Sequence, residues 1–226
     1  VTALDSGDPS KKVDFRDEVY ELNYPFSGKG KFILKTINRF SGIDWGTKDM
    51  AIAYDTWWNT RNRKSYVFNP SNPNIKPKII SDRNYQDTYS DPGNFLRSRN
   101  EFNRSVLKMH YGNIFLRGQG FSPSGQFPFI DKVNTKTFEK TRVYQSSYTD
   151  KIESIIDYDP KKNQLTVSIE SPSEYPNYYT KKVKSGKLEK LTNLKNPFLE
   201  LQNVKKEKIT YLRNDGVELS GILYLP

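Results

Sequence analysis

The chain has 226 residues with 14% aromatic and 35% hydrophobic side chains, no cysteine, and a formal net charge of +10. Its length allows one large or two small domains, and the lack of cysteine excludes disulfides, thiolate metal sites and cysteine nucleophiles. No apolar run approaches the roughly 18 residues of a membrane span, so we expect none. The sequence starts without a recognisable secretory signal, which leaves the compartment open, including export to a bacterial periplasm.

The positive charge has two interpretations. Basic residues interleaved with Tyr and Phe are typical of a nucleic-acid surface, but they also keep a protein solvated or attract acidic ligands through their field. Paired lysines at 161–162, 181–182 and 205–206 fall in predicted turns and not along one helix. This distribution argues against nucleic acid as a partner.

The start of the chain alternates short strands with polar loops. Stretches at residues 1–4, 18–22 and 32–40 are rich in β-forming residues and predict strands. The segments between them, residues 5–15 and 25–31, contain Gly and Pro and predict loops.

A repeated order of four short strands follows. Each unit has a short first strand, an apolar second strand, an alternating third strand and a short outer strand, joined by polar turns. The predicted strands are residues 41–45, 50–58, 64–68 and 78–82; then 94–99, 105–116, 127–133 and 140–145; then 152–158, 164–170, 177–183 and 187–192.

Such repeats, with little helical periodicity, favour an all-β fold made of about three to four four-stranded blades of a partial β-propeller. Each blade needs neighbours to bury its two faces. An all-β sandwich with a similar number of strands is the alternative. The recurrence of the same strand order favours the propeller.

The end of the chain departs from the repeat. Residues 193–208 include Pro197 and several Lys and Glu residues, which predict a linker in which a short helix is one alternative. Residues 209–226 predict a hairpin whose turn, Asn214-Asp215-Gly216, uses a glycine at positive φ. Apolar residues then share one face at period two: Val217, Leu219, Leu223 and Leu225.

We therefore divide the chain into a partial propeller at residues 1–192, a linker at 193–208, and the first strands of a further domain at 209–226. A hairpin alone is marginally stable and needs a sheet to join. The last segment is accordingly interpreted as the opening of a new domain.

No complete active site is predicted within the chain. Ser122 lies in the nearest match to a nucleophile elbow, but the motif lacks its final Gly and looks like a loop. His110, the sole histidine, lies in a predicted strand and is interpreted as structural. We therefore assign no catalytic, cofactor-binding or metal-binding residue.

Two other patterns partly resemble binding sites. Asp157 and Asp159 with Asn163 have some calcium-like spacing, yet they lack a full ligand loop and fit a hairpin turn better. The glycines of residues 28–31 lack the Ser or Thr of a phosphate loop and also predict a turn. Neither pattern supports a bound cofactor.

The aromatic and basic cluster at residues 57–63 has two interpretations. Trp57 and Trp58 with Arg61 and Arg63 would form an aromatic-cationic ligand surface if all four were exposed. The alternative is that one Trp packs in the core while the arginines extend their stems over apolar surface. The core interpretation is favoured.

Three stretches carry a resemblance to a known family. They are residues 82–93 (DRNYQDTYSDPG), 118–137 (GQGFSPSGQFPFIDKVNTKT) and 209–226 (ITYLRNDGVELSGILYLP). Together they resemble the prolyl oligopeptidase family of serine peptidases, and within it the glutamyl endopeptidase branch of bacteria and plastids. The likeness runs through the whole chain, although Gln126 stands where that branch has an acidic residue.

The resemblance implies a propeller that restricts access to the active site of an α/β-hydrolase domain and helps to hold peptide substrates. The turn at Asp215-Gly216 matches the first hairpin of that catalytic domain, whose Ser, Asp and His would lie beyond Pro226. The resemblance therefore implies peptide substrates and the chain's own hydrolase domain as partners. The +10 charge adds an expected preference for acidic peptides. A stand-alone propeller that binds protein or peptide partners is the alternative.

Overall fold

The computed structural model describes residues 1–201 and 204–225. These residues form antiparallel β-strands, and the one helical segment among them is a single 3-10 turn, Leu199–Leu201. Within the described part of the chain, no helix has the length and apolar character needed to cross a bilayer. Residues 202 and 203 of the predicted linker and residue 226 of the predicted hairpin lie outside the described residues.

The first two sheets are formed by consecutive strands, each hydrogen-bonded to the next in the chain. Sheet 1 contains β1 (Thr2–Ala3), β2 (Asp17–Glu21) and β3 (Lys31–Thr36). Sheet 2 contains β4 (Arg39–Thr47), β5 (Met50–Trp57), β6 (Asn62–Phe68) and β7 (Lys78–Asn84).

The prediction of one strand at residues 32–40 is wrong, because the chain passes from sheet 1 to sheet 2 within this segment. The backbone N–H and side-chain amide of Asn38 both donate to the buried carboxylate of Asp55, at 2.9 and 3.0 Å. The Thr36 hydroxyl also donates to the Asn38 carbonyl. These bonds hold the turn that ends β3 in sheet 1 and starts β4 in sheet 2.

Sheet 3 is interrupted by two small hairpins. Its strands run in the order β11, β12, β15, β16, and β8 pairs with β12 on the same side as β11. The strands of this region are β8 (Asn94–Phe95), β9 (Arg97–Arg99), β10 (Ser105–Leu107), β11 (Met109–His110), β12 (Asn113–Gly118), β13 (Phe121–Ser122), β14 (Gly125–Gln126), β15 (Phe129–Asn134) and β16 (Lys140–Gln145).

The prediction of a single strand at residues 105–116 is wrong, because the structure has three strands there, β10, β11 and β12. Tyr111 and Gly112 take positive φ values of 44° and 70°, and this turn separates β11 from β12. The hairpin β9–β10 is inserted between β8 and β11, and Lys108 N donates to Leu96 O at its base. One edge strand of sheet 3 is thus built from two pieces with an excursion between them.

The strands of sheet 4 begin and end within two residues of the predicted positions. Its strands are β17 (Ile152–Asp159), β18 (Gln164–Glu170), β19 (Asn177–Lys182) and β20 (Leu188–Lys190). The last two strands, β21 (Lys205–Leu212) and β22 (Glu218–Leu225), form the predicted hairpin with Gly216 at φ 84°. β21 starts inside the segment predicted as linker.

The hydrophobic core lies between successive sheets. One cluster joins sheets 1 and 2 through side chains such as Leu34 and Ala53. A second joins sheets 2 and 3, and a third joins sheets 3 and 4. Because a fully buried aliphatic side chain contributes about 1.5–3 kcal/mol and a surface ion pair about 0–1 kcal/mol, these clusters dominate the stability.

The side chains of the second strand in a sheet belong to two hydrophobic clusters, one on each face of the strand. In β5, Ala51 and Ala53 belong to the cluster with sheet 1, whereas Met50 and Ile52 belong to the cluster with sheet 3. Successive side chains of a strand point to opposite faces, so near-continuous apolar sequence gives two buried faces. Sheets stacked face to face in chain order form a propeller-like arrangement, whereas the alternative sandwich has two sheets.

A buried ionic group joins sheets 3 and 4. Lys181 Nζ lies 2.8 Å from Glu153 Oε1 and donates to the hydroxyl of Tyr144 at 2.6 Å, and that hydroxyl donates to Glu153. The Glu153 side chain is fully buried and that of Lys181 is 9% exposed. Burial and the bond to Glu153 raise the pKa of Tyr144 to about 12, so its proton stays in place. Lys181 lies in β19, within the strand predicted at residues 177–183 and not in a turn.

A second ionic group joins the loop after β1 to sheet 2. The buried carboxylate of Asp5 accepts hydrogen bonds from Arg39, Arg16 and the backbone N–H of Gly7. Arg39 also binds Asp17, at 2.8 Å. Burial alone would raise the pKa of Asp5, but the bonds from Arg39, Arg16 and Gly7 outweigh it and lower the pKa.

The buried lysine can be tested by a matched pair of substitutions. Lys181→Met leaves the carboxylate of Glu153 buried without its cation, so we expect a loss of about 3–5 kcal/mol in the free energy of unfolding. Lys182→Met changes an exposed neighbour and should cost within about 0.5 kcal/mol. Denaturant titration measures both. Equal losses in the two variants would contradict the structural role of Lys181.

The Asp5 group predicts a dependence of stability on acid. Because folding lowers the pKa of Asp5 from its usual 3.8, its contribution is complete above that value and is lost as pH falls through the lower folded pKa. The difference in unfolding midpoint between the wild type and Asp5→Asn should therefore narrow between about pH 5 and pH 2. Asp14→Asn, at an exposed position, is the control. A difference that stays constant with pH would refute the assignment.

Candidate ligand-binding cleft between sheets 2 and 3

A cleft of about 170 Å³ lies where sheet 2 meets sheet 3. Its walls come from β5, β6 and β7 on one side and from β8, β12, β15 and the start of β16 on the other. Apolar side chains line part of it, namely Ile80, Phe95, Val133 and Phe138. These four residues also pack against the cluster that joins the two sheets, so the cleft is a gap in that packing.

Three cationic side chains line the cleft, Arg63, Arg83 and Lys140. Arg63 on β6 and Arg83 on β7 are directly opposite each other in the sheet register, which puts them on the same face. Lys140 starts β16. Like charges directly opposite in a sheet are destabilising, so this arrangement opposes the stability of sheet 2.

Arg83 is held at the cleft with part of its guanidinium unsatisfied. Its Nη2 donates to the carbonyl of Asp87 at 2.5 Å, and its Nη1 lies 3.7 Å from the carboxylate of Asp91. Its Nε is buried and is the one side-chain donor or acceptor of that kind without a hydrogen-bond partner among the described residues. The side chain is 14% exposed. A buried donor without a partner is uncommon in folded proteins and calls for an explanation.

Arg63 is positioned by an aromatic ring. Its guanidinium lies 4.9 Å from the ring centroid of Tyr54. The Tyr54 hydroxyl donates to Asp44 at 2.7 Å, and Asp44 also pairs with Arg97 of hairpin β9–β10 at 2.6 Å. Burial and the bond to Asp44 raise the pKa of Tyr54, so its proton stays on the hydroxyl at neutral pH. Tyr54 is thus a fixed wall under Arg63 and not an acid or base.

Two of the cations that line the cleft are not neutralised by a partner among the described residues. Within residues 1–201 and 204–225, neither the Arg63 guanidinium nor the Lys140 ammonium has a hydrogen bond or an ion pair. Asp91 is the one acidic residue that lines the cleft. Three positive groups against one negative group leave an excess of two positive charges.

The loop from β7 to β8 closes one end of the cleft. Its carboxylates hold its backbone: Asp87 accepts from the N–H groups of Tyr89 and Ser90, and Asp91 accepts from that of Gly93. Gly93 has φ 85°, and a Cβ there would lie 2.3 Å from the Arg117 carbonyl oxygen. The DRNYQDTYSDPG stretch, one of the three that carry the family resemblance, therefore forms a wall of this cleft.

The structure does not bring the sequence-weighed catalytic residues together. The Ser122 hydroxyl bonds to Ser124 and to the carbonyl of Gly125, and neither partner can act as a general base. His110 ends β11, where its ring lies 4.2 Å from that of Tyr111. Both residues lie in two-residue strands, His110 in β11 and Ser122 in β13, and contact neighbours in the chain.

The remaining sequence candidates are also turn or surface residues. Asp157 pairs with Lys108, whereas Asp159 accepts from the N–H groups of residues 161 and 162 and holds the predicted turn. Across the described residues, no group of three or more His, Cys, Asp or Glu side chains is placed to hold a metal ion. Gly28, at φ 86°, lies in a turn as expected.

The tryptophans follow neither sequence interpretation completely. Trp58 is 72% exposed under the guanidinium of Arg61, at 3.6 Å, and Trp57 is half-buried under that of Arg16, at 3.7 Å. The favoured core placement is wrong, because no Trp belongs to the buried clusters. Arg63 does not belong to the surface formed by the two tryptophans and lines the cleft instead. The cleft itself was missed by sequence, although Arg83 lies within the quoted DRNYQDTYSDPG stretch.

The architecture defines an all-β protein with propeller-like stacking of four-stranded sheets. In sequence, the chain is 31% identical over 98% of its length to a protein of Arabidopsis thaliana named "Probable glutamyl endopeptidase, chloroplastic". It is 32% identical over its whole length to a protein of the same name from Oryza sativa subsp. japonica. The chain spans 25% and 26% of the length of these two relatives. No protein-family model matches it.

Solved structures show weaker similarity. An apo structure of the isopeptidase AtxE2 is 12% identical with a TM-score of 0.40, covering 81% of this chain and 25% of that one. TolB from Acinetobacter baumannii is 14% identical with a TM-score of 0.40, covering 90% of this chain and 42% of that one. The chain is thus related in sequence to proteins named as peptidases, and its propeller-like architecture follows from its own sheets.

The loop that closes the cleft can be tested at Gly93. Gly93→Ala adds the cost of a left-handed alanine, about 1–2 kcal/mol, to a clash with the Arg117 backbone that costs about 1–3 kcal/mol more. Gly186→Ala is the matched control, because Gly186 has φ 70° with nothing within 4 Å of an added Cβ. Chemical denaturation measures both. Equal losses in the two variants would show that Gly93 is not in close contact with β12.

Proposed function

We propose that this chain is the non-catalytic propeller portion of a serine peptidase of the prolyl oligopeptidase type. In this proposal it admits and positions peptides for an α/β-hydrolase domain encoded beyond residue 226. The observation that carries the proposal is identity of 31–32% along nearly the whole chain to two proteins named glutamyl endopeptidase. The chain corresponds to about a quarter of each, which leaves room in such a protein for a catalytic domain.

The proposal takes no catalytic residue from this chain. The Ser122 hydroxyl bonds to Ser124 and Gly125, whereas the ring of His110 packs against that of Tyr111. A peptidase of this type would take its nucleophile, base and carboxylate from the hydrolase domain. The proposal assigns to this chain the selection of substrates and to the other domain the cleavage of the peptide bond.

The terminal hairpin supports the proposed junction with a further domain. Strands β21 and β22 pair over their full length, yet they expose large apolar side chains on both faces, including Ile209, Tyr211, Ile222 and Tyr224. An isolated two-stranded hairpin is marginally stable in water, and exposed strand edges invite pairing. These properties fit the first two strands of a larger sheet.

The charge of the chain supports a preference for acidic peptides. A net charge of +10 raises the local concentration of negatively charged ligands, an effect that salt screens. The preference is proposed for capture of the substrate and not for the chemical step. In the cleft between sheets 2 and 3, three cationic side chains, Arg63, Arg83 and Lys140, lie near one acidic residue, Asp91.

The proposal predicts that the full-length protein hydrolyses peptides with a serine nucleophile. We expect covalent labelling by a fluorophosphonate probe and cleavage of an unstructured peptide, measured by mass spectrometry. Substitution by Ala of the Ser in the G-x-S-x-G motif expected beyond residue 226 is the control and should abolish both. Peptide binding without labelling or cleavage would refute the peptidase assignment and favour the stand-alone binding module.

A further inference from the structure

We propose that the hairpin formed by β9 and β10 projects into the central channel of the propeller and selects the peptides that can pass it. An extended single chain would pass the hairpin, whereas a closed peptide would be held back. The channel and the peptide substrates rest on the proposed function. The position and rigidity of the hairpin rest on the contacts of the described residues. Phe102, at the tip, is the residue that we expect an entering chain to contact.

The hairpin interrupts the edge strand of sheet 3. On that edge, Phe95 of β8 lies opposite Leu116 and Met109 of β11 lies opposite Ile114, so the two short strands share one position beside β12. Residues 97–107 leave this edge between them and return to it. β10 contacts β4, the corresponding edge strand of sheet 2. Because the blades of a propeller surround a central channel with their first strands innermost, the hairpin starts on the channel side of two neighbouring sheets.

The base of the hairpin is anchored to both sheets. Leu107 is 2% exposed and belongs to the cluster that joins sheets 2 and 3. It packs against Gly46 of β4, where an added Cβ would lie 3.2 Å from Leu107 Cδ1. Arg97 lies opposite Leu107 in the hairpin and pairs with Asp44 of β4 at 2.6 Å. One apolar and one ionic contact therefore fix the base against sheet 2.

The tip of the hairpin is held by its own hydrogen bonds. The side-chain oxygen of Asn100 accepts from the backbone N–H groups of Phe102 and Arg104, at 3.0 and 2.8 Å. The Arg99 guanidinium donates to the carbonyl of Asn103 at 2.9 Å, and the N–H of Asn103 donates to the carbonyl of Asn100 at 2.9 Å. All residues from 99 to 105 are exposed. The tip thus keeps its shape by internal bonds and not by burial.

The size of the hairpin is sufficient to narrow a channel. Its two strands lie about 5 Å apart and each residue advances by about 3.3 Å, so the tip can reach roughly 15 Å from the edge of sheet 3. An extended peptide is a single strand, whereas a closed peptide presents two strands side by side. A rigid obstruction therefore discriminates between these two forms.

Cysteine labelling tests the position of the hairpin, because the chain contains no cysteine. Phe102→Cys is compared with Ile75→Cys, a control at an exposed residue in the loop that leads to β7, the outer strand of sheet 2. Both variants are made in the full-length protein, whose unsubstituted form gives the background. The reagents are N-ethylmaleimide and a maleimide attached to a long polyethylene glycol chain.

The ratio of the two labelling rates gives the outcome. Relative to N-ethylmaleimide, we expect the polymer reagent to label Phe102→Cys about tenfold more slowly than Ile75→Cys, because the surrounding blades exclude the polymer. Phe102 is 74% exposed and Ile75 is 52% exposed in this chain, so local burial would not produce this difference. Equal ratios for the two variants would overturn the proposal.

Peptide cleavage by the full-length protein tests the selection. One variant replaces residues 100–104 by Asn-Gly, a turn that keeps the pairing of Arg99 with Ser105. We expect kcat/KM for a head-to-tail closed peptide to rise about tenfold, while kcat/KM for its linear form changes by less than about twofold. Phe102→Ala removes an exposed ring and should give a smaller rise, so the test does not depend on folding of the shortened hairpin. Ile75→Ala is the control and should change neither value. An unchanged ratio of the two values in both hairpin variants would overturn the proposal.

The hairpin and the proposed function can fail separately. If the full-length protein cleaved no peptide, the proposed function would be refuted and the labelling ratio alone would decide whether the hairpin lies in a channel. Equal labelling ratios in a protein that does cleave peptides would retain the peptidase assignment and overturn the hairpin as the selecting element.

Discussion

Burial of both faces of the second strand in a sheet is the constraint on which this fold depends. Strand β5 sends Ala51 and Ala53 towards sheet 1 and Met50 and Ile52 towards sheet 3, so sheet 2 is stable only between its neighbours. In β18, Thr166 and Ser168 alternate with the buried Leu165, Val167 and Ile169, so its two faces differ in polarity.

The same stacking produces the cleft. The gap between sheets 2 and 3 lies beside their shared cluster and is lined by β7 and the start of β16, and the loop carrying Asp91 and Gly93 closes it. Hairpin β9–β10, inserted in the edge strand of sheet 3, packs on β4 and delivers Arg97 to Asp44. Through Tyr54, that ion pair fixes the wall beneath Arg63. The interruption of sheet 3 is therefore part of what shapes the cleft.

The sequence predicted the strands whose neighbours in the sheet are also neighbours in the chain. Sheet 4 was predicted nearly completely, because its alternating strands and polar turns are local signals. The ends of β3 and the break after His110 were not predictable, since they depend on the distant Asp55 and on an uncommon backbone conformation at Tyr111. Local patterns carry no information on such contacts.

The cleft could not be predicted from the sequence for a related reason. The pairing of β6 with β7 shifts by one residue at Ile80, and only beyond this irregularity does Arg63 lie opposite Arg83, with Lys64 opposite Asp82. Regular pairing would have matched Arg63 with Asp82 and neutralised it. Elsewhere the protein satisfies its buried ions, as in the group of Glu153 and Lys181. A strand irregularity thus places two cations opposite each other beside a cavity, an arrangement that regular strand pairing and local sequence patterns do not predict.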